Sequence, residues 1–466
     1  MHRFLALFLF VSLAAAQKPP EPPPAQPVPG QVDPHRPCAT KPDQTYALYV
    51  PTTYTPTKKW PIVYAFDPSA HGDRPVDALK AGAEKYGYIV AASNNSRNGP
   101  WGPEIEAAQA VSDDTHTILS IDDHRVYFTG LSGGARVAGR IAQLCKCAAG
   151  VYLNGAGFPS GTAPSPKDSV FPVFATVGNV DFNFPEVTRL DQALAAAGYP
   201  HFLRYFEGPH QWAPSEVAEQ ALAWFRLVAM KEDLAPRDAD FIAQQRDAEI
   251  ARAKSLEQSG NLFYAWREYN QAIATFDGLS DVAPLRAAAT WLSSQKDARE
   301  GPKRQAHEFE EQQNLIADIA AAMANFRTVT SDLADEVSAT KQKVANLREA
   351  AAREKKPNKA IVLRRALANV FVQAMETASD RLDAKEVTLA KDYYLLAAEA
   401  NPDSPAPLRN IAIAQAMDNN RKAAIDSLRQ AKLKVKDMPP FLDWLQSEPT
   451  FAAFRDDPQF RQLLTN

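Results

Sequence analysis

The chain has 466 residues, 45% of them hydrophobic, which is material for two domains at the usual ~100 to 200 residues each. Lys and Arg number 51 against 55 Asp and Glu, a net charge of -4, so there is no basic field to bind nucleic acid or an anionic membrane surface. Three cysteines are too few for a disulfide scaffold.

Met1-His-Arg, an apolar run from Phe4 to Leu13 and Ala14-Ala-Ala16 have the form of a signal peptide over residues 1–16, which implies an exported protein, periplasmic or extracellular. The apolar run is short for a bilayer, and no later stretch reaches the ~20 apolar residues of a membrane span. Residues 17–38 follow as a proline-rich leader, nine prolines falling between Lys18 and Cys38, and read as an extended spacer.

From residue 39 strand-like and helix-like runs alternate. Pro61-Ile-Val-Tyr-Ala-Phe66 reads as a buried strand, followed by the loop Asp67-Pro-Ser-Ala-His-Gly72. Val126 to Phe128 reads as another and leads into Gly130-Leu-Ser-Gly-Gly134, then a helical stretch from Ala135 to Cys147 and a further strand, Gly150 to Gly155. A Gly-x-Ser-x-Gly turn between strand and helix must be sharp enough to strain the serine, and glycines on either side remove the Cβ atoms that would block it. Ser132 is therefore the expected nucleophile.

A serine hydroxyl needs a base and an orienting acid, in the chain order Ser, Asp/Glu, His for this arrangement. Beyond Ser132, the first half of the chain holds His201, which opens the strand-like run His201 to Phe206, and His210, in the loop Gly208-Pro-His-Gln-Trp212. His210 is the better base. Phe171 to Val177 reads as the preceding strand and ends in Gly178-Asn-Val-Asp181, making Asp181 the orienting acid, with Glu186 in reserve. One βα unit separates each pair of these residues and no cap insertion fits between them. The Pro-, Ser- and Gly-rich stretch from Phe158 to Phe171 reads as a loop, so the site is expected to be open and lidless. The oxyanion donors are expected to be the N–H groups of Gly133 and, because proline has none, of Ser69. Trp101 and Trp212 are placed to stack on an aromatic acyl group, and His71 is a loop histidine with access to substrate.

With these motifs, Asp123 to Ala135 around the serine, the acid after Gly178, and Gly208 to Trp212 around the histidine, the chain resembles secreted bacterial α/β-hydrolases of the polyhydroxyalkanoate depolymerase and feruloyl esterase type over roughly residues 40 to 232. The resemblance implies a mostly parallel sheet with helices on both faces and an ester hydrolase with Ser132, Asp181 and His210 as its triad. Where such enzymes usually carry His-Gly in the oxyanion loop, this chain has Asp67-Pro68.

Composition shifts near Leu234-Ala-Pro-Arg-Asp238, and residues 240–466 read as all-helical after a hydrolase domain at 39–233. Ala390, Tyr394 and Ala397 recur as Ala424, Leu428 and Ala431 at an offset of 34, the tetratricopeptide period, and Ala265, Tyr269 and Ala272 form a third copy. Such repeats bind peptides or proteins. Ile316, Ile319, Met323, Phe326, Leu333, Val337, Val344 and Leu347 follow a heptad pattern and predict one long helix, packing against a helix at 360–378 or dimerising. Phe441 to Leu464 reads as a capping helix. Cys38 is expected to pair with Cys145 or Cys147; the Cys-Lys-Cys spacing lacks the histidines of a zinc site, and no cofactor is implied.

The function these readings predict is an exported serine esterase acting through an acyl-enzyme on a small-molecule or polymer-borne ester. The alternatives are a peptidase or thioesterase with the same triad, and an interaction scaffold whose hydrolase half is degenerate.

Overall fold

The computed structural model describes residues 26–161, 163–165, 170–326 and 333–465. The expected signal segment, the start of the leader and part of the 158–171 loop fall outside them.

Among the described residues eight strands form one sheet: β1 (Val32–Cys38), β2 (Lys41–Tyr49), β3 (Trp60–Phe66), β4 (Ile89–Ser93), β5 (Ile121–Leu131), β6 (Ala148–Asn154), β7 (Val173–Gly178) and β8 (His201–Phe206). Their spatial order is β1-β2-β4-β3-β5-β6-β7-β8, parallel from β4 to β8, with β1 and β2 antiparallel at one edge. The central strands are buried along their length, as a sheet covered on both faces requires. Helices α2 (Trp101–Ile118), α3 (Gly133–Cys145) and α4 (Phe184–Ala196) close one face; α1 (Asp73–Tyr86) and α5 (Ser215–Lys231) close the other. This is the α/β-hydrolase arrangement.

The proline-rich leader ends earlier than its composition suggested, because Val32–Cys38 is strand β1. Pro34 and Pro37 are tolerated there because β1 is an edge strand with register irregularities on both sides of Arg36. The opposite edge, β8, is covered by helices from the second half of the chain. On α7 (Leu262–Phe276) the Gln271 Oε1 accepts from the Leu203 N–H at 2.5 Å, and Arg204 pairs with Glu268 of the same helix and with Glu249 of α6 (Ala239–Gln258). One outward N–H of the edge strand is thereby satisfied and the edge is covered. Helix α5 lies between the sheet and this array, with Ala223, Leu227 and Met230 in a core shared with Phe241, Tyr269 and Phe276.

The array continues as α8 (Ala283–Ser294), α9 (Lys296–Ala324), α10 (Leu333–Arg353), α11 (Pro357–Asp383), α12 (Val387–Ala400), α13 (Ala406–Met417), α14 (Arg421–Lys432) and α15 (Met438–Ser447). The heptad run is divided, not continuous: it ends α9, whose C-cap is Asn325, and resumes in α10. The intervening sequence Thr328-Val-Thr-Ser-Asp332 is poor in helix formers. Both segments bury their apolar positions in one cluster with Leu363, Leu367 and Val370 of α11, so the seam is satisfied within the chain. The tail is also divided, since Pro449 and Pro458 end α15 and restart short turns, but Phe441, Phe451, Phe454 and Phe460 all cover the end of the array against Ile425 and Leu428. Cys145 is bonded to Cys147, with Cα atoms 5.1 Å apart, and Cys38 is a buried free thiol. The expected bridge from Cys38 is therefore replaced by one within the turn that ends α3.

Candidate active site

Ser132 stands between β5 and α3 at φ 55°, ψ -118°, a conformation that L residues adopt only when their surroundings impose it. Two glycines impose it. A Cβ on Gly130 would lie 2.1 Å from the Gly134 backbone, and a Cβ on Gly134 would lie 2.0 Å from the Phe66 carbonyl oxygen. The turn is fixed from the other side by the Ser132 N–H, which donates to Asn154 O at 2.9 Å. Asn154 is itself anchored: its amide donates to Thr129 Oγ1 and Gly130 O, and its Oδ1 accepts from Thr176 Oγ1. This buried network ties the ends of β5, β6 and β7 together.

The acid and base loops are stitched to one another. Val180 N–H donates to Gly208 O, Gly208 N–H donates to Asn179 Oδ1, and Asn179 N–H donates to Phe206 O. Asp181, fully buried, faces His210 Nδ1 with its two oxygens 3.0 and 2.9 Å away, and its Oδ1 also accepts from Asn183 N–H. The Phe182 ring lies 4.4 Å from the imidazole, centroid to centroid. His210 lies over Gly155, the residue after the acceptor of the Ser132 N–H: a methyl there would be 3.1 Å from Nδ1 and Cε1. Ser132 and His210 thus flank the same two residues at the end of β6. Among the described residues no hydrogen bond joins the serine hydroxyl to the imidazole.

The other sequence candidates resolve individually. Glu186 is engaged by Arg136 in a two-pronged pair at 2.8 and 3.0 Å and accepts from Gly157 N–H, so the reserve acid serves structure. His201 faces Tyr199 O and Asp191, away from Ser132. His71 is exposed beside Asp73. Ser69 is not available as an oxyanion donor. Its N–H donates to Asp67 Oδ1 at 2.9 Å and the next N–H, that of Ala70, donates to Asp67 O. Asp67 Oδ2 accepts from Trp212 Nε1 at 2.9 Å, which occupies the tryptophan expected to stack on substrate. A buried carboxylate must be satisfied, and it takes the loop's donors to do so.

Gly133 begins α3, and first-turn N–H groups have no acceptor within their own helix. Lying on it is a residue that sequence reading missed: a Cβ on Gly133 would fall 1.8 Å from Asn98 Oδ1. Asn98 N–H is bonded to Pro68 O, which fixes the residue where it lines the pocket.

That pocket, about 440 Å³, is lined by Ser132 and Gly133, by Arg97, Asn98 and Trp101, and across from them by Asn369, Val372, Gln373 and Glu376 of α11. Among the described residues no cap is inserted between those of the sequence motif, but the site is not fully open: the helical array supplies its far wall. Nothing local in the sequence marks α11 for this, because its wall residues lie more than 200 positions from Ser132 and three of the four are only half-buried. The wall and floor are polar. The Glu376 carboxyl is raised above its ordinary range by burial and then by Asp380, and the Glu104 carboxyl by burial, against hydrogen bonds from Ser96 and Arg97 N–H. Among the described residues no group of three metal-ligating side chains forms a metal site, and no helix is long and apolar enough to cross a membrane.

No family model matches the chain and no curated protein matches it. Solved structures do, over the N-terminal part. The S-formylglutathione hydrolase FrmB of Staphylococcus aureus is 14% identical, with a TM-score of 0.35, and the match covers 39% of this chain and 92% of that one. A ferulic acid esterase is 17% identical over 42% and 96% of the two chains (TM-score 0.33), and Est1E from Butyrivibrio proteoclasticus 13% over 40% and 93% (TM-score 0.32).

Proposed function

We propose that the chain is an exported serine hydrolase of the esterase type. The observation that carries this reading is the conjunction of a serine strained at a strand-to-helix turn with an Asp181–His210 pair, its acid fully buried, in the loops that follow β7 and β8. In the proposed reaction His210 Nε2 takes the Ser132 hydroxyl proton as the oxygen attacks the ester carbonyl; the tetrahedral oxyanion collapses, the alcohol leaves with the proton from His210, and an acyl-serine remains. Water, deprotonated by His210, releases the acid and restores the serine. Asp181 holds the imidazole tautomer with Nδ1–H directed at itself. The hydroxyl–imidazole hydrogen bond belongs to the substrate complex, as catalytic hydrogen bonds that are long in a free enzyme tighten on binding.

Gly133 N–H is one oxyanion donor. With the Ser69 N–H taken, Asn98 Nδ2, the donor end of the carboxamide whose Oδ1 rests on Gly133, is assigned as the second. The known esterases to which the sheet is similar fit an ester substrate. The helical array is read as tetratricopeptide-like and as the surface for a protein or peptide partner. In support, Ala390, Ala397, Ala424 and Ala431 are all fully buried, as are Tyr394 and Leu428 at the matching larger positions. Residues 1–16 support export.

A fluorophosphonate probe tests the assignment: it should label the protein at Ser132 and fail on Ser132→Ala. Absence of labelling, or equal labelling of the variant, would overturn it and favour the scaffold reading. Acetyl, feruloyl and polyester-oligomer substrates measured side by side would identify the acyl class, and inactivity on all three with intact labelling would point to a peptidase or thioesterase.

A further inference from the structure

The loop that carries Asp181 is held by two side chains from the helical array. Arg365 of α11 donates through Nε to Asn179 O at 2.6 Å, two residues before Asp181. Gln312 of α9 donates through Nε2 to Phe182 O at 3.3 Å, one residue after it. Both side chains are almost fully buried, each residue 3% exposed. The Arg365 guanidinium also lies 3.5 Å from the centre of the Phe184 ring, at the start of α4. The grip extends to the base, because Asn179 Oδ1 accepts from Gly208 N–H, in the loop of His210.

Arg365 is costly where it stands. Among the described residues no carboxylate lies within ion-pairing distance of it, and burial pushes the guanidinium down to about 10. A buried cation whose nearest carboxylates, Glu308 and Asp181, act on it only from beyond ion-pairing distance is costly, so stability alone does not account for it. Its position does. Along α11, residues 365, 369, 372 and 376 fall at spacings of four, three and four, which is one helix face. That face bonds the acid loop at one end and lines the pocket over Ser132 with Asn369, Val372 and Glu376 at the other.

We propose that Arg365 and Gln312 are positioning residues of the catalytic site, and that the helical array is thereby part of the hydrolase and not an appendage to it. They set the height and tilt of the Asp181 carboxylate against His210 by fixing the carbonyls on either side. This rests on the Ser132–His210–Asp181 reading, but its test need not.

The test uses the full chain with Arg365→Ala, Arg365→Lys and Gln312→Leu. Two readouts are taken: kcat and KM on a p-nitrophenyl ester, and the downfield proton resonance of His210 Nδ1–H, assigned by its loss in His210→Gln. Arg365→Ala should lower kcat about 10- to 100-fold and Gln312→Leu about 3- to 10-fold with KM changed far less, since displacement of a catalytic group by about 1 Å costs up to ~100-fold. The His210 proton should exchange faster or broaden in both, with Arg365→Lys recovering part of each effect. Unchanged kcat with an unchanged resonance would overturn the proposal. Were wild type itself inactive on esters, the esterase reading would fail, and the resonance alone would decide: an unaltered signal in Gln312→Leu refutes positioning. That variant keeps an apolar stem in the buried site and serves if Arg365→Ala does not fold.

Discussion

The sheet half and the helical half each bury hydrophobic cores but place their chemistry differently. In the sheet half the reactive groups sit at element ends, where backbone geometry leaves almost no freedom: Ser132 is held by glycines on either side and by the end of β6. In the helical half the contributing groups project from the middle of helices, and their backbone positions accept many side chains. Constraint by backbone leaves a mark in sequence, and contribution by side chain across an interface does not.

The largest effect that sharpens this contrast is loss of the nucleophile. Ser132→Ala should lower kcat on a p-nitrophenyl ester by about 10⁵-fold or more, while circular dichroism and thermal midpoint stay near wild type. Residual activity within tenfold of wild type would sink the assignment of Ser132. Next comes Asn98→Ala, expected to cost about 10²- to 10³-fold in kcat with KM little changed, the signature of a donor that acts on the developing oxyanion. A variant that raised KM and left kcat alone would make Asn98 a substrate-binding residue instead.

The readings that succeeded and those that failed separate along the same line. The alternation of strands and helices, the strand ends and the all-helical second half were legible because periodicity and glycine placement are local. The pairing of Asp181 with His210 followed from chain order, since loops after adjacent parallel strands emerge at one rim. Ser69 failed as a donor because the competitor for its N–H, the Asp67 carboxylate two residues earlier, is visible only once its burial is known. The lidless site failed because the cover comes from α11, far beyond the last motif residue. The Cys38 bridge failed because pairing is set by Cα separation, on which spacing is silent; Cys38 ends the edge strand β1 with its side chain buried.

A pair of equal substitutions measures the contrast directly. Gly134→Ala drives a Cβ to 2.0 Å from a backbone carbonyl in the sheet, and Gly301→Ala in α9 drives one to 2.2 Å from the Phe263 side chain. The first obstacle belongs to strand β3 and has no way to move, so destabilisation of about 3 kcal/mol or more is expected, with activity lost alongside it. The second is the near end of the buried Phe263 side chain, whose Cβ also comes within 2.7 Å and is not moved by a rotamer change, so α9 must shift against α7; alanine recovers about 1 kcal/mol of helix propensity, leaving a net cost of about 1 to 3 kcal/mol and near-normal activity. Urea denaturation of both variants gives the comparison; equal losses would mean that the array is as rigidly determined as the turn at Ser132.

The smallest effect concerns the far end of the same helix that Ser132 begins. Helix α3 has 13 residues, so its last turn is roughly 18 Å from the nucleophile at 1.5 Å per residue, and the Cys145–Cys147 bond closes a loop with one residue between its ends. So short a loop constrains the unfolded chain little, on the order of 1.5 kcal/mol by the loop-entropy relation. Reduction should leave ester hydrolysis unchanged. Cys38 behaves oppositely to this exposed pair: burial, and after it Asp114, pushes its thiol up to about 12. A raised thiol pKa means less thiolate at any given pH, so iodoacetamide should leave the folded chain unmodified even at pH 9, where an ordinary thiol is largely ionised. Mass spectrometry should then find one modified cysteine after denaturation without reductant and three after denaturation with it. Rapid alkylation of the folded chain at one site would place Cys38 at the surface and undo the edge of the sheet as described, whereas two sites would free the Cys145–Cys147 pair.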